Sequence, residues 1–169
     1  SVAAHLMLEK GYECIGVTMQ LLDNVDSQIA DAKSVADRLG IPFYAFDMRK
    51  EFRKKIIDAF IESYEKGETP NPCVLCNREM KFGLLLEKAT ELGCDFIATG
   101  HYAKVEQING RYILKKAESI EKDQSYFLNL LSQEQLSKIL FPLGSYNKEE
   151  IRRIAEDLNL VTAKKKDSQ

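Results

Sequence analysis

The sequence has no apolar run long enough to cross a bilayer and does not open on a signal-peptide pattern, so a cytoplasmic location is the default reading. No charge of one sign dominates: 24 Lys and Arg stand against 26 Asp and Glu, a net charge of −2. The simplest nucleic-acid binders, with an overall basic surface, are thereby excluded, although a local basic face is not. Internal repeats and low-complexity tracts are absent. Cysteine is sparse at four positions, and a long Lys- and Glu-rich chain of this kind does not lean on structural disulfides.

What is present is a globular composition, 44% hydrophobic and 30% charged over 169 residues, enough for one domain or one domain with part of another. Residues 1–10 predict a helix ending at Gly11, and 13–19 a short apolar strand. Ile29, Ala32, Ala36 and Leu39 recur at helical spacing up to Gly40. Phe43–Asp47 predicts the next strand. A helix follows with Phe52, Ile56, Ala59, Phe60 and Tyr64 on one face, then a proline-bearing loop over 68–76. A further helix runs from Phe82 to Leu92, and 95–99 is a strand. Asn109-Gly110 between two strand-like runs predicts a two-residue hairpin turn. Ser132 with Gln135, and Asn147 with Glu150, predict capping boxes at helix starts.

Alternating strands and helices argue for an α/β fold, a parallel sheet with helices on both faces, over 1–117. Residues 118–169 are expected to be a mainly helical second segment. Ligands of such sheets bind at the carboxyl ends of the strands, here Met19, Asp47 and Thr99-Gly100-His101. A helix opens the chain with no strand before it and no initiator Met, and a first strand is expected to have preceded it.

Cys14 and Cys94 sit beside apolar strands and are read as core residues. Cys73 and Cys76 lie in Thr-Pro-Asn-Pro-Cys-Val-Leu-Cys-Asn, with Cys76 expected at the start of the next helix, where unsatisfied N–H groups favour a thiolate. By that reading its thiolate is favoured over those of Cys14 and Cys94. Structural zinc would want a second Cys pair, which is missing, and a thioredoxin-like pair would want a different setting. An iron–sulfur cluster would need a further thiolate. No metal site is assigned. His101 at a strand end could contact substrate, although a histidine in a loop is more often structural, and Lys122-Asp-Gln-Ser-Tyr-Phe127 suits RNA contact or a helix start equally well. The basic run Lys164–Lys166 reads as a solvated tail.

Gly-Tyr-Glu-Cys-Ile-Gly-Val-Thr-Met, Thr-Pro-Asn-Pro-Cys-Val-Leu-Cys-Asn-Arg-Glu-Met-Lys-Phe, Ala-Thr-Gly-His-Tyr-Ala, Lys-Asp-Gln-Ser-Tyr-Phe-Leu, Phe-Pro-Leu-Gly and Lys-Lys-Lys-Asp-Ser follow one another along the chain. In this order and spacing they resemble the tRNA-specific 2-thiouridylases of the PP-loop ATP pyrophosphatase superfamily. The resemblance implies that ATP, with Mg2+, adenylates the C2 oxygen of a wobble uridine, and that persulfide sulfur then replaces it with release of AMP. It implies Cys76 as nucleophile, Met19 and Gly100 at the nucleotide, and Asn71, Pro72 and Cys73 facing the target base. It also implies tRNA contacts from His101, Lys122, Asp123 and Gln124.

The implied partners are tRNA and a persulfide-donating sulfur-relay protein or cysteine desulfurase, with no membrane. The family's Ser-Gly-Gly-Val-Asp-Ser loop would fall just before Ser1 and its second catalytic cysteine just beyond Gln169. The chain alone is therefore expected to be inactive. Many members carry Asp where Cys73 stands, so a thiol replaces a carboxylate there.

Overall fold

The computed structural model describes residues 1–160; the Lys164–Lys166 run and the Lys-Lys-Lys-Asp-Ser motif lie outside them. Helix α1 (Val2–Glu9) leads to strand β1 (Gly16–Gln20), helix α2 (Asp26–Leu39) and strand β2 (Phe43–Asp47). Helix α3 covers 49–65, with a π-wound stretch at Arg53–Ile57, and helix α4 covers 72–91, with a longer one at Asn77–Leu84. Strand β3 (Ile97–Ala98), the hairpin β4 (Ala103–Ile108) and β5 (Arg111–Lys116), two single turns (Ile120–Lys122, Ser125–Leu128), helix α5 (Gln133–Ser137), strand β6 (Ile139–Leu140) and helix α6 (Lys148–Asp157) complete the order.

The expected α/β architecture of parallel strands and helices is present. Strand β1 pairs in parallel with β2, Gly16 opposite Phe43 and Gln20 opposite Asp47, and β3 pairs in parallel with β6. Among the described residues these are separate two-stranded pieces, not one hydrogen-bonded sheet. Both helical layers can be read along β1, because side chains alternate between faces. At Gly16 the Cα faces the Ala36 methyl of α2, a Cβ there lying 3.3 Å from it. Three residues on, Met19 packs into the cluster formed by Ile56 of α3 and by Met80, Phe82, Leu85 and Ala89 of α4. A second cluster joins α1, α2 and α6 through Leu6, Val35 and Ala155.

Local signals were realised closely. Asn109 and Gly110 take φ of 50° and 78°, the doubly positive turn that matches strand twist. Ser132/Gln135 and Asn147/Glu150 form reciprocal capping boxes. Other expectations need correction. Residues 72–76 are helix, not loop, because Pro72 occupies the first helical position, where its missing N–H costs nothing. Tyr64 is not on the buried face; it is 55% exposed, stacked edge-on against Phe60. Ile139–Leu140, within the region expected to be mainly helical, is a strand, since it closes the parallel pair with β3. None of the described helices is long and apolar enough to cross a membrane.

Candidate functional site

The site is built on the first half of α4. Asn71 precedes it in extended conformation and its Oδ1 accepts the Cys73 N–H at 3.1 Å, a side-chain cap on an otherwise orphan donor. Cys73 is therefore the cysteine at the helix N-terminus, and it is exposed. Cys76 closes the first turn and is half-buried against the core. Burial pushes its thiol up; the Lys81 ammonium opposes that shift and the neighbouring Cys73 adds to it. The expectation that Cys76 begins the helix is thus overturned, and burial pushes up the thiols of Cys76 and Cys14 alike. Helix-end stabilisation fades within a turn, and desolvation of the thiolate wins.

His101 follows β3. Its ring lies 5.8 Å from both Phe82 and Phe141, and its Nδ1 is 2.7 Å from Thr99 Oγ1. Burial, with the Lys81 charge, lowers its pKa to about 4, so the imidazole is neutral at neutral pH. Lys81 acts on both Cys76 and His101, and draws the two sequence candidates into one electrostatic neighbourhood.

The 122–124 segment is tied to the same place. Gln124 donates its N–H to the Tyr102 carbonyl at 2.8 Å and accepts the Tyr102 N–H on Oε1 at 3.0 Å. Asp123 accepts from the Ala117 N–H at 2.8 Å and from Ser125 Oγ at 2.7 Å. Both side chains are committed to the backbone around them, while Lys122 is exposed. Asn77, 3% exposed, donates Nδ2 to the Phe127 carbonyl at 3.1 Å and so ties α4 to the Ser125–Leu128 turn.

Met19, one residue before the end of β1, packs half-buried against the same core cluster as Cys76, and Gly100 is exposed just after β3, which belongs to the other parallel pair. A side chain at Gly100 would meet Leu143 only at ordinary contact distance, so close backbone packing does not force glycine there. At the rim of β1 and β2, Arg49 holds Asp47 through Nε (2.9 Å) and Nη2 (2.7 Å) and Asp23 through Nη1 (2.5 Å). This pins the loop after β1 to the end of β2. Among the described residues no three His, Cys, Asp or Glu side chains converge to hold a metal ion.

Lys81 was legible in the sequence only as a nearby positive charge in the Cys-Asn-Arg-Glu-Met-Lys-Phe stretch, without its reach to both Cys76 and His101. The sequence showed nothing of Arg49's role, nor of the long-range bonds from Gln135 to Arg78 and Phe82. Only the Ser132/Gln135 spacing hinted at Gln135, and as a cap alone.

This is an α/β unit of parallel strands and helices whose cysteine-bearing helix shares a core cluster with β1. The chain belongs to the family described as tRNA methyl transferase HUP domain, whose model matches residues 1–169. It is 53% identical to the tRNA-specific 2-thiouridylase MnmA of Treponema denticola, across the whole chain and 49% of that relative's length. It is 48% identical to the protein of the same name in Caldicellulosiruptor saccharolyticus and 49% identical to that of Clostridium kluyveri, covering 51% of each. The chain spans about half the length of the curated relatives it matches. The resemblance stated from the motifs is borne out.

Proposed function

We propose that the whole protein containing this chain is a tRNA 2-thiouridylase. The C2 oxygen of a wobble uridine bonds to the α-phosphorus of ATP and pyrophosphate leaves, which makes that oxygen a good leaving group; the outer sulfur of a persulfide then bonds to C2 and the C2–oxygen bond breaks with departure of AMP. Cys76 is the thiol whose thiolate attacks the persulfide's inner sulfur, so that the S–S bond breaks, the outer sulfur stays on C2, and Cys76 is left in a disulfide with the donor cysteine that a thiol reductant reopens. Asn71, Pro72 and Cys73 face the target base, which must leave its stack to arrive there. Met19 and Gly100 hold the nucleotide. His101 and Lys122–Gln124 lie along the tRNA, Lys122 as its cation and Asp123 and Gln124 as supports for the loop. Residues 1–117 form the ATP-binding domain, and the segment from 118 leads toward further tRNA contacts. A sulfur-relay protein or cysteine desulfurase supplies the persulfide. Mg2+ would come with the nucleotide, but the described carboxylates at this rim are taken by Arg49, and no step is assigned through the ion.

One observation carries this reading: a half-buried thiol sits one turn behind an exposed, capped helix start, within the electrostatic reach of a lysine that also acts on the neutral His101. That setting suits a thiol that reacts with an electrophilic sulfur. The experiment is to assay 2-thiouridine by nucleoside mass spectrometry in the whole protein carrying Cys76→Ser or Cys73→Asp. Cys76→Ser should abolish thiolation. Cys73→Asp should retain it, since many relatives have Asp there. Equal loss in both, with metal released, would show a joint ligand set instead.

A further inference from the structure

Helix α4 changes its winding immediately after Cys76: Pro72–Cys76 is α-helical and Asn77–Leu84 is π. Two positions five apart on an α-helix stand about 140° from each other around the axis. A π-turn, bonded from i to i+5, is wider and brings such positions to one side. Cys76 and Lys81 are such a pair.

Two features outside the pair hold that winding, and a third marks its start. A methyl group on Gly83 would stand 3.0 Å from the Arg78 carbonyl oxygen, five residues back, so the close π-turn wants glycine there. Gln135 Nε2 donates to the carbonyls of Arg78 at 3.0 Å and Phe82 at 2.8 Å, from a helix distant in sequence. Asn77, directly after Cys76, keeps its Oδ1 buried with no partner in the protein, a cost that helices seldom carry without use.

The surrounding charges leave Lys81 as the cation that matters to the thiol. Helix α3 packs on the start of α4, but there Arg53 is paired with Asp58 at 2.9 Å and Lys55 with Glu79 at 3.1 Å, while Lys54 is exposed. Glu79, the acidic residue of the π-turn, also pairs with Arg78 at 3.3 Å. The Ser125–Leu128 turn contributes no charged side chain. Cys73 is the other titratable neighbour, and His101 shares the influence of Lys81. Lys81 is half-buried and has no ion-pair partner among the described residues.

We propose that Lys81 is a positioning residue for Cys76, brought beside the thiol by the π-winding of α4 and favouring the form that attacks sulfur. The proposal rests on Cys76 being the reacting thiol. Its own test needs no tRNA turnover: alkylation of Cys76 by iodoacetamide is followed against pH on the full chain, each cysteine read separately by mass spectrometry.

Lys81→Met should slow Cys76 alkylation near neutral pH by about three- to tenfold and move its profile to higher pH. The His101 titration, followed by NMR, should also move up, since the same cation opposes imidazolium. Lys81→Arg should restore both. Gly83→Ala, which keeps the lysine but disturbs the turn, should shift Cys76 in the same direction. If Lys81→Met fails to fold, Lys81→Gln carries the same expectation. An unchanged Cys76 profile in a folded Lys81→Met or Lys81→Gln chain overturns the proposal and leaves the nucleophile reading standing. Thiolation that survives Cys76→Ser overturns the nucleophile reading and leaves the lysine–thiol coupling measurable.

Discussion

The side-chain amide of Gln135 donates to the carbonyl oxygen of Phe82 at 2.8 Å, across 53 residues of chain. The same nitrogen serves the Arg78 carbonyl, and the Oε1 of the same side chain accepts the Ser132 N–H at 3.0 Å. One side chain thus caps α5 and closes the loosened backbone of the π-turn. Gln135→Ala should lower unfolding free energy by about 1–3 kcal/mol in urea titrations. Gln135→Glu should also destabilise, because it keeps the cap acceptor but sets a carboxylate against two carbonyls. A Gln135→Glu chain as stable as the parent would show that the two long-range bonds contribute nothing.

His101 predicts acid sensitivity with a definite sign. Its folded pKa of about 4 lies below the ordinary value of 6.5, so between these values the unfolded chain binds more protons than the folded one. Stability is then unaffected by this group above about pH 6.5 and falls as pH drops toward 4, by up to about 3 kcal/mol. His101→Phe, which fits the ring space between Phe82 and Phe141, should flatten that part of the pH–stability curve. A curve with unchanged slope would place the acid sensitivity elsewhere.

Gly144 closes the Phe-Pro-Leu-Gly motif, and a Cβ there would run into the carbonyl of Ala103. Ala103 is fully buried where β4 begins, so the backbone has little room to retreat. Gly144→Ala should cost about 3 kcal/mol or more, seen as a lower melting temperature with loss of soluble yield. Near-parental melting would mean that the 141–144 turn shifts freely.

The Arg49 clamp predicts a local titration. Asp47 is held down to about 2 by its hydrogen bonds from Arg49. Arg49→Met should return its carboxyl toward the ordinary carboxylate range, measured by NMR, and release the loop carrying Asp23. The clamp's hold on Asp47 then vanishes above pH 4 as well as below it, whereas in the parent it is lost only as pH falls through about 2. An Asp47 titration unmoved by Arg49→Met would show that the ion pair does not persist in solution.

Sequence by itself determined the α/β alternation, the Asn109-Gly110 hairpin, both capping boxes, and the motif order that places the chain in its family. Those features rest on a few neighbouring residues: a turn needs its two central conformations, a cap needs a side chain three positions away, and a strand needs its short apolar run. Tertiary structure decided which cysteine has which environment. Pro72 starting α4 gave Cys73 the helix end, and packing of Cys76 against the core made desolvation the largest influence on its thiol. It also decided the π-winding that sets Lys81 beside Cys76, the partner strand for β3, and the engagement of Asp123 and Gln124 with nearby backbone. Burial and charge proximity are sums over groups distant in the chain, such as Gln135 on Phe82 and Phe127 on Asn77, and no local spacing encodes them.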